Sequence, residues 1–354
     1  MNKKTSKYLY EFVRNCDGEE ICEVLETGEF KGNIGLVYSK RPNAVLSVMK
    51  DGYDSQIAVA RNKYNNKISG MGICTLNKFI VNGQIETIAY LSGFRILNGV
   101  RGNIIHVYKM FEDYCHENNV KYTYTTILED NKHALKMFSK KRKNLPDYIK
   151  ISDYTVNIFM KNIKYKSNNT CIKAEEKDYE ALKNFIQKEA RNKLFFPYID
   201  LEKGFFNLTR KDFYILKNKE GEILACGILW NQTNYKQLTV KHYSLKYKII
   251  SLFSQIFLKP LKYPVLPKIN SYVNYSTLSF VLVKNNNSEY LNDFIKQISQ
   301  FVKEDLFVYA SVKELTEKIS PLQYKSNVYI VDWNKNFDKN KFDFQNLYIE
   351  CGLL

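Results

Sequence analysis

The stretch Tyr90–Asn118, YLSGFRILNGVRGNIIHVYKMFEDYCHEN, constrains this chain more than any other. Tyr90–Ile96 is rich in aromatic and β-branched residues and predicts a strand, after which Asn98-Gly99 and Gly102 break the pattern. Apolar residues return at Ile104, Val107, Tyr108, Phe111 and Cys115, one face of a helix, with Lys109, Glu112, Asp113 and Glu117 on the other. A strand that empties through a glycine-bearing turn into a helix start gathers unpaired backbone N–H groups and a positive dipole end at one point. Such a point suits a pyrophosphate, although the same pattern also serves as an ordinary strand, turn and helix.

The flanking sequence sets this unit in a larger order. Tyr8–Val13 predicts an opening strand and Glu19–Leu25 a helix, followed by Lys31–Ser39 and by Arg41–Met49 with Pro42 near a helix start. Ser55–Arg61 and Ile68–Val81 predict antiparallel strands, and Asn82-Gly83 a tight hairpin into Ile85–Tyr90. Downstream come a strand at Tyr122–Ile127, a helix from Asp130-Asn131 carrying Ala134, Leu135 and Phe138, and a strand at Tyr154–Met160. The polar tract Asn162–Thr170 reads as a linker, and beyond it the pattern recurs. Leu278-Ser279 in STLSFVLV parallels Leu91-Ser92. Glu289–Val302, Leu306–Ser311, Val312–Ile319 and Asn327–Trp333 then repeat helix, strand, helix and strand, behind a meander of Asp212–Lys217, Ile223–Trp230 and Gln237–Tyr243. In the second copy KNNNSEYL replaces the glycine turn, with Ser288 as a simple helix cap. At 354 residues the chain therefore predicts two domains with separate cores, residues 1–163 and 170–354.

At these residues the chain resembles the GNAT superfamily of acyl-CoA-dependent N-acyltransferases, whose cofactor turn follows Q/R-x-x-G-x-G/A after a strand. Arg101 and Gly102 fit; Ile104 stands at the pattern's key glycine and His106 at its Gly or Ala. The segment TTILEDNKHALKMF is similar to the family's next helix, with Asn131 and Ala134 matching and Phe138 where a proton-donating Tyr is usual. LACGILWNQTNYKQ and FQNLYIECGLL look like segments of a two-domain branch of that family. The resemblance implies an α/β (α+β) fold class: two tandem GNAT folds, each a mixed, mostly antiparallel sheet flanked by helices, the second degenerate. It implies acetyl-CoA or another acyl-CoA as co-substrate, with pantetheine along Phe94, Arg95 and Ile96. Pyrophosphate would lie over Val100, Arg101, Gly102, Asn103, Ile104 and Ile105, and Asn131 would start the helix beside it. The acceptor would be a small-molecule or peptide amine. Glu129, Tyr90 and Tyr124 are the residues placed to deprotonate it, directly or through water; equally, the tyrosines are packing residues and Glu129 a helix-start carboxylate. The replacements at positions 104, 106 and 138 keep open a non-catalytic binding module, and tandem copies with a basic charge keep open an aminoacyl-tRNA-dependent transferase.

Composition narrows the remainder. A charge of +16 comes with lysines spread along the chain, which reads as compositional bias more than a nucleic-acid patch. Seven scattered cysteines without a C-x-x-C pair read as reduced and mostly buried, and the cysteines and the four histidines show no metal spacing. No apolar leader and no run near the ~18 residues of a spanning helix is visible, which predicts a cytoplasmic protein. Tyr247–Lys262 is an apolar helical stripe flanked by lysines; it predicts a helix packed on the second sheet, with an anionic membrane surface as the alternative.

Overall fold

The computed structural model describes residues 7–30, 32–97, 104–138, 145–161, 167–254, 265–312 and 322–354. The chain opens with β1 (Tyr8–Phe12) and the amphipathic α1 (Gly18–Glu26), which buries Ile21, Cys22 and Leu25. β2 (Glu29–Phe30), β3 (Ile34–Ser39) and α2 (Ala44–Val48) follow; Asn43, not Pro42, starts α2, its side chain accepting the Leu46 N–H at 3.1 Å. β4 (Asp54–Asn62), β5 (Ile68–Val81) and β6 (Gln84–Ile96) form a meander. At its hairpin Asn82 and Gly83 both take positive φ, +49° and +79°, as a two-residue turn twisted with the strands requires. α3 (Ile104–Glu117) lays Val107, Tyr108, Phe111 and Cys115 on this sheet, and β7 (Tyr122–Leu128), α4 (Lys132–Phe138) and β8 (Asp147–Met160) complete the first repeat.

The second repeat comprises β9 (Thr170–Lys173), α5 (Tyr179–Arg191), β10 (Phe196–Pro197), β11 (Phe213–Lys217), β12 (Ile223–Trp230), β13 (Gln237–Tyr243), α6 (Leu245–Phe253), β14 (Tyr275–Val283), α7 (Ser288–Ile298), β15 (Leu306–Ser311) and β16 (Leu322–Asp332). Asn287 rather than Ser288 caps α7, accepting the Glu289 and Tyr290 N–H groups. The centre of the expected linker, and the helix expected at Val312–Ile319 apart from its first residue, fall outside the described residues.

The mixed, mostly antiparallel sheet flanked by helices is present, but the halves do not keep separate sheets. Among the described residues one sheet runs β1-β4-β5-β6-β7-β16-β8-β15-β14-β12-β11-β9. The closing strands trade places: β16 of the second repeat lies between β7 and β8, and β8 of the first pairs with β15. β13, expected in the second meander, instead pairs with β3 in a small separate sheet, and β14 takes its place beside β12. The cores merge accordingly, since one cluster joins Phe79, Ile88 and Tyr124 to Phe195, Ile215 and Phe280.

The repeat is visible at finer scale where the strands run parallel. β6 pairs with β7 only over Ile88–Tyr90, and β14 with β15 only over Tyr275–Thr277. Just past each ladder the register on the other flank slips by a bulge. The residue after each Leu-Ser pair has positive φ: Gly93 at +61° and Phe280 at +53°. Each bulge turns its strand away from the parallel neighbour and opens a splay. In the second repeat the chain fills that splay itself. Glu350 Oε2 accepts the Phe280 N–H and the Tyr348 hydroxyl, both at 2.6 Å; Glu350 Oε1 accepts the Gly352 N–H at 2.8 Å; and the Tyr348 oxygen accepts the Val281 N–H at 3.0 Å.

Glu350 satisfies three buried donors at once, although burial itself pushes its carboxyl up. Glu350→Gln would aim an amide NH2 at one of them. Leaving a buried donor unmet costs about 1–3 kcal/mol, so chemical denaturation should show a loss of that size, and an unchanged stability would mean the tail is not clamped by this carboxylate.

Candidate active site

The corresponding splay in the first repeat is open. A cavity of about 520 Å³ begins where β6 leaves β7, against about 90 Å³ beside the filled splay. Ser92–Ile96 of β6 faces it with an edge that β7 no longer covers, while the Thr125 hydroxyl donates to the Leu91 carbonyl at 2.7 Å and closes the ladder. An uncovered strand edge offers N–H and C=O groups to an extended ligand, and the pleat beneath it is held by β5.

Both repeats build the wall. Ile73, Ile127 and Leu128 come from the first repeat, and Leu238, Tyr275 and Val308 from the second. Five phenols line it, those of Tyr38, Tyr90, Tyr148, Tyr275 and Tyr324. Burial raises each: Tyr90 is pushed up to about 12, and Tyr148 stands well above the usual phenol range, helped by its neighbour Tyr108. All five therefore remain protonated through neutrality and act as donors, not bases. The Tyr90 hydroxyl pairs with Thr126 Oγ1 at 2.8 Å. Tyr148 stacks on Phe138 with ring centroids 4.0 Å apart, and its hydroxyl bonds that of Tyr108.

The wall carries two strong cations and, among the described residues, no Asp or Glu side chain. Arg95 donates to the carbonyls of Phe94, at 2.9 Å, and Leu25, at 3.4 Å, and burial lowers its pKa. Lys236 pairs with Asp51 at 3.1 Å, an aspartate also held by buried Lys40, and donates to the Gly352 and Leu354 carbonyls. Arg95, whose described hydrogen-bond partners are neutral carbonyls, suits the wall to an anionic ligand.

The sequence-derived residues divide. Phe94, Arg95, Ile96 and Asn131 line the cavity, and the Asn131 side chain accepts the Ala134 N–H at 3.1 Å, starting α4 as expected. Tyr90 also lines it. Tyr124 does not: it is buried behind Tyr90, ring centroids 4.9 Å apart, and packs against Phe79 and Phe195. Glu129 is exposed beyond the end of β7 and stands outside the wall. Ile105 is exposed, and His106 lies against Tyr10, ring centroids 4.5 Å apart. Val100, Arg101, Gly102 and Asn103, and the side chain of Ile104, lie outside the described residues. The reading from sequence missed Tyr148, Lys236 and Tyr275. No motif marks them, and only the Tyr-rich composition hinted at phenols in a site.

Two repeats of bulged, splayed strands joined into one sheet, with one splay open to a cavity, define the GNAT-type fold in its tandem form. Solved structures with this fold include Saccharomyces cerevisiae N-myristoyltransferase with bound myristoyl-CoA. It is 9% identical with a TM-score of 0.55, and the match covers 92% of this chain and 83% of that one. A GCN5-related N-acetyltransferase from Sphaerobacter thermophilus is likewise 9% identical with a TM-score of 0.54, over 93% of this chain and 96% of that one. No family model matches the sequence, and no curated protein does.

The bulge at Gly93 is the most sensitive point of this geometry. A Cβ there would approach Ile73 Cδ1 to 2.6 Å, and the left-handed backbone itself costs a side chain about 1–2 kcal/mol. Gly93→Ala should lower unfolding free energy by about 2 kcal/mol or more in a denaturant titration. An unaltered midpoint would show that the splay does not depend on this backbone.

Proposed function

We propose that the protein is an acyl-CoA-dependent N-acyltransferase whose acyl group is long rather than acetyl. The observation that carries this is the cavity at the β6–β7 splay: about 520 Å³, walled mainly by apolar side chains, rimmed by cations and adjoining an uncovered strand edge. A two-carbon acyl group would leave most of it empty, and the yeast structure of the same fold was solved with myristoyl-CoA bound. On this reading residues 1–163 hold the donor and residues 170–354 are a degenerate copy that lends Lys236 and Tyr275 to the wall. Pantetheine adds to β6 along Phe94–Ile96, with Arg95 near its charge.

The neutral amine attacks the thioester carbon, the C–S bond breaks, the amine's proton passes to water and the thiolate takes a proton from a phenol. Phe138 has no proton to give. Tyr148, stacked on that ring and held protonated, is the donor we assign; its phenolate regains from solvent, through the Tyr108 hydroxyl, the proton that the amine released to water. The acceptor is a small-molecule or peptide amine.

Thermal shift with a series of CoA thioesters tests the ligand. Each additional buried methylene is worth about 0.8 kcal/mol, so the melting temperature should climb from acetyl-CoA to the long acyl-CoAs. A response that ignores chain length overturns the long-chain reading, and no response to any thioester overturns the donor site altogether. Binding without turnover would assign the chain to the non-catalytic class.

Turnover tests the acid. Tyr148→Phe should lower kcat about a hundredfold while changing KM little. Because burial raises the wall phenols, Tyr90 and Tyr148 among them, the wild-type rate should rise with pH as the acceptor amine loses its proton. It should show no decline from Tyr90 ionisation below about 12. A falling limb at the ordinary phenol value that vanishes in Tyr148→Phe would show that Tyr148 is not held protonated by burial.

A further inference from the structure

α6 is amphipathic the wrong way round for a core helix. Its inward stripe is Tyr247, Ser251 and Ser254, while Leu245, Ile249 and Leu252 are 78%, 62% and 58% exposed. Over the described residues this stripe is therefore not packed on the second sheet as expected; the remainder of the expected helix, residues 255–262, lies outside the described residues. The segment hydrogen-bonded to β13 through Asn270 and Ser271 adds Ile269 and Tyr272, 46% and 60% exposed. Large apolar groups turned to water beside buried serines cost free energy unless something apolar covers them.

Charge says what covers them. From Ser244 to Tyr272 the sequence holds Lys246, Lys248, Lys259, Lys262 and Lys268 and no acidic residue, and no Asp or Glu occurs anywhere between Glu222 and Glu289. Of the acids beside β13, Glu29 is engaged by His242 at 2.7 Å and Glu26 by Arg41 at 2.9 Å. A helix with exposed aliphatics among lysines and no acids is complementary to a surface that is apolar below and anionic above. We propose that α6 and the Ile269–Tyr272 segment dock the protein on a bilayer rich in anionic phospholipid, with Leu245, Ile249 and Leu252 in the acyl boundary and Lys246 and Lys248 at the headgroups. The same region packs toward the cavity, since Tyr247 and Leu266 join the cluster that contains Leu36, Leu238, Tyr275 and Tyr324 of its wall. Docking here sets the apolar cavity beside the lipid phase. It does not require that the chain transfer an acyl group.

The full chain is tested by co-sedimentation with phosphatidylcholine vesicles, alone and with about a third phosphatidylserine. Binding is expected only to the anionic vesicles and should weaken as salt is raised. Each lysine at such a surface is worth about fivefold in affinity, so Lys246→Gln with Lys248→Gln should weaken binding about twenty-five-fold. Ile249→Ser with Leu252→Ser should weaken it with the lysines intact. Both pairs of side chains are exposed, and unchanged melting curves confirm that the variants fold. No vesicle binding, equal binding to neutral vesicles, or indifference to both variants overturns the proposal. So does a concentration-dependent dimer in sedimentation velocity that the variants abolish without changing vesicle binding, which would assign the face to a second copy of this chain.

Discussion

Two strands that run parallel for three residues and are then forced apart set the rest of this structure. The force is local: a residue at positive φ shifts the register on the far flank, so that the strand continues on β5 or β12 while its parallel neighbour diverges. Glycine takes that conformation readily at position 93. Phenylalanine takes it at 280, where the Phe280 N–H is tied to Glu350 and the ring is packed against Phe205, Phe206 and Trp230. A strained backbone persists where its surroundings over-determine it, and at Phe280 they visibly do.

The fate of the two openings then differs for a physical reason. An open splay exposes strand N–H and C=O groups that must be met by water, ligand or chain. In the second repeat Tyr348, Glu350 and Gly352 meet them, and Gly352 fits because a Cβ there would come within 2.6 Å of Trp230. In the first repeat the cavity remains, with Cys351 and Leu354 of the same tail in its wall. The exchange of β8 and β16 fixes this asymmetry in place, because each half contributes a strand to the middle of the sheet and neither closes its core without the other.

The wall's chemistry follows from burial as much as from residue type. Phenols that would titrate near their ordinary value in water are held neutral, and an arginine with only carbonyl partners among the described residues is left to answer an incoming anion. With no acidic side chain among the described residues of the wall, its phenols and cations are suited to receive negative charge.

What the sequence by itself determined was local. The Asn82-Gly83 hairpin, the apolar face of α3, the Asn131 cap and the Leu-Ser repeat at positions 91–92 and 278–279 all depend on neighbours a few residues away, where turn chemistry and periodicity act directly. Tertiary structure alone decided that Tyr124 would be packed behind Tyr90 against Phe79, that Tyr148 would sit over Phe138, that β13 would leave its own half for β3, and that α6 would face outward. Each of these depends on contacts between residues distant in the chain, such as Arg41 and Gln237, 196 positions apart, whose backbone and side chain exchange hydrogen bonds across the two repeats. Periodicity records only that a residue is apolar on one face of its element. Which partner that face meets is settled by how the strands of the two halves interleave.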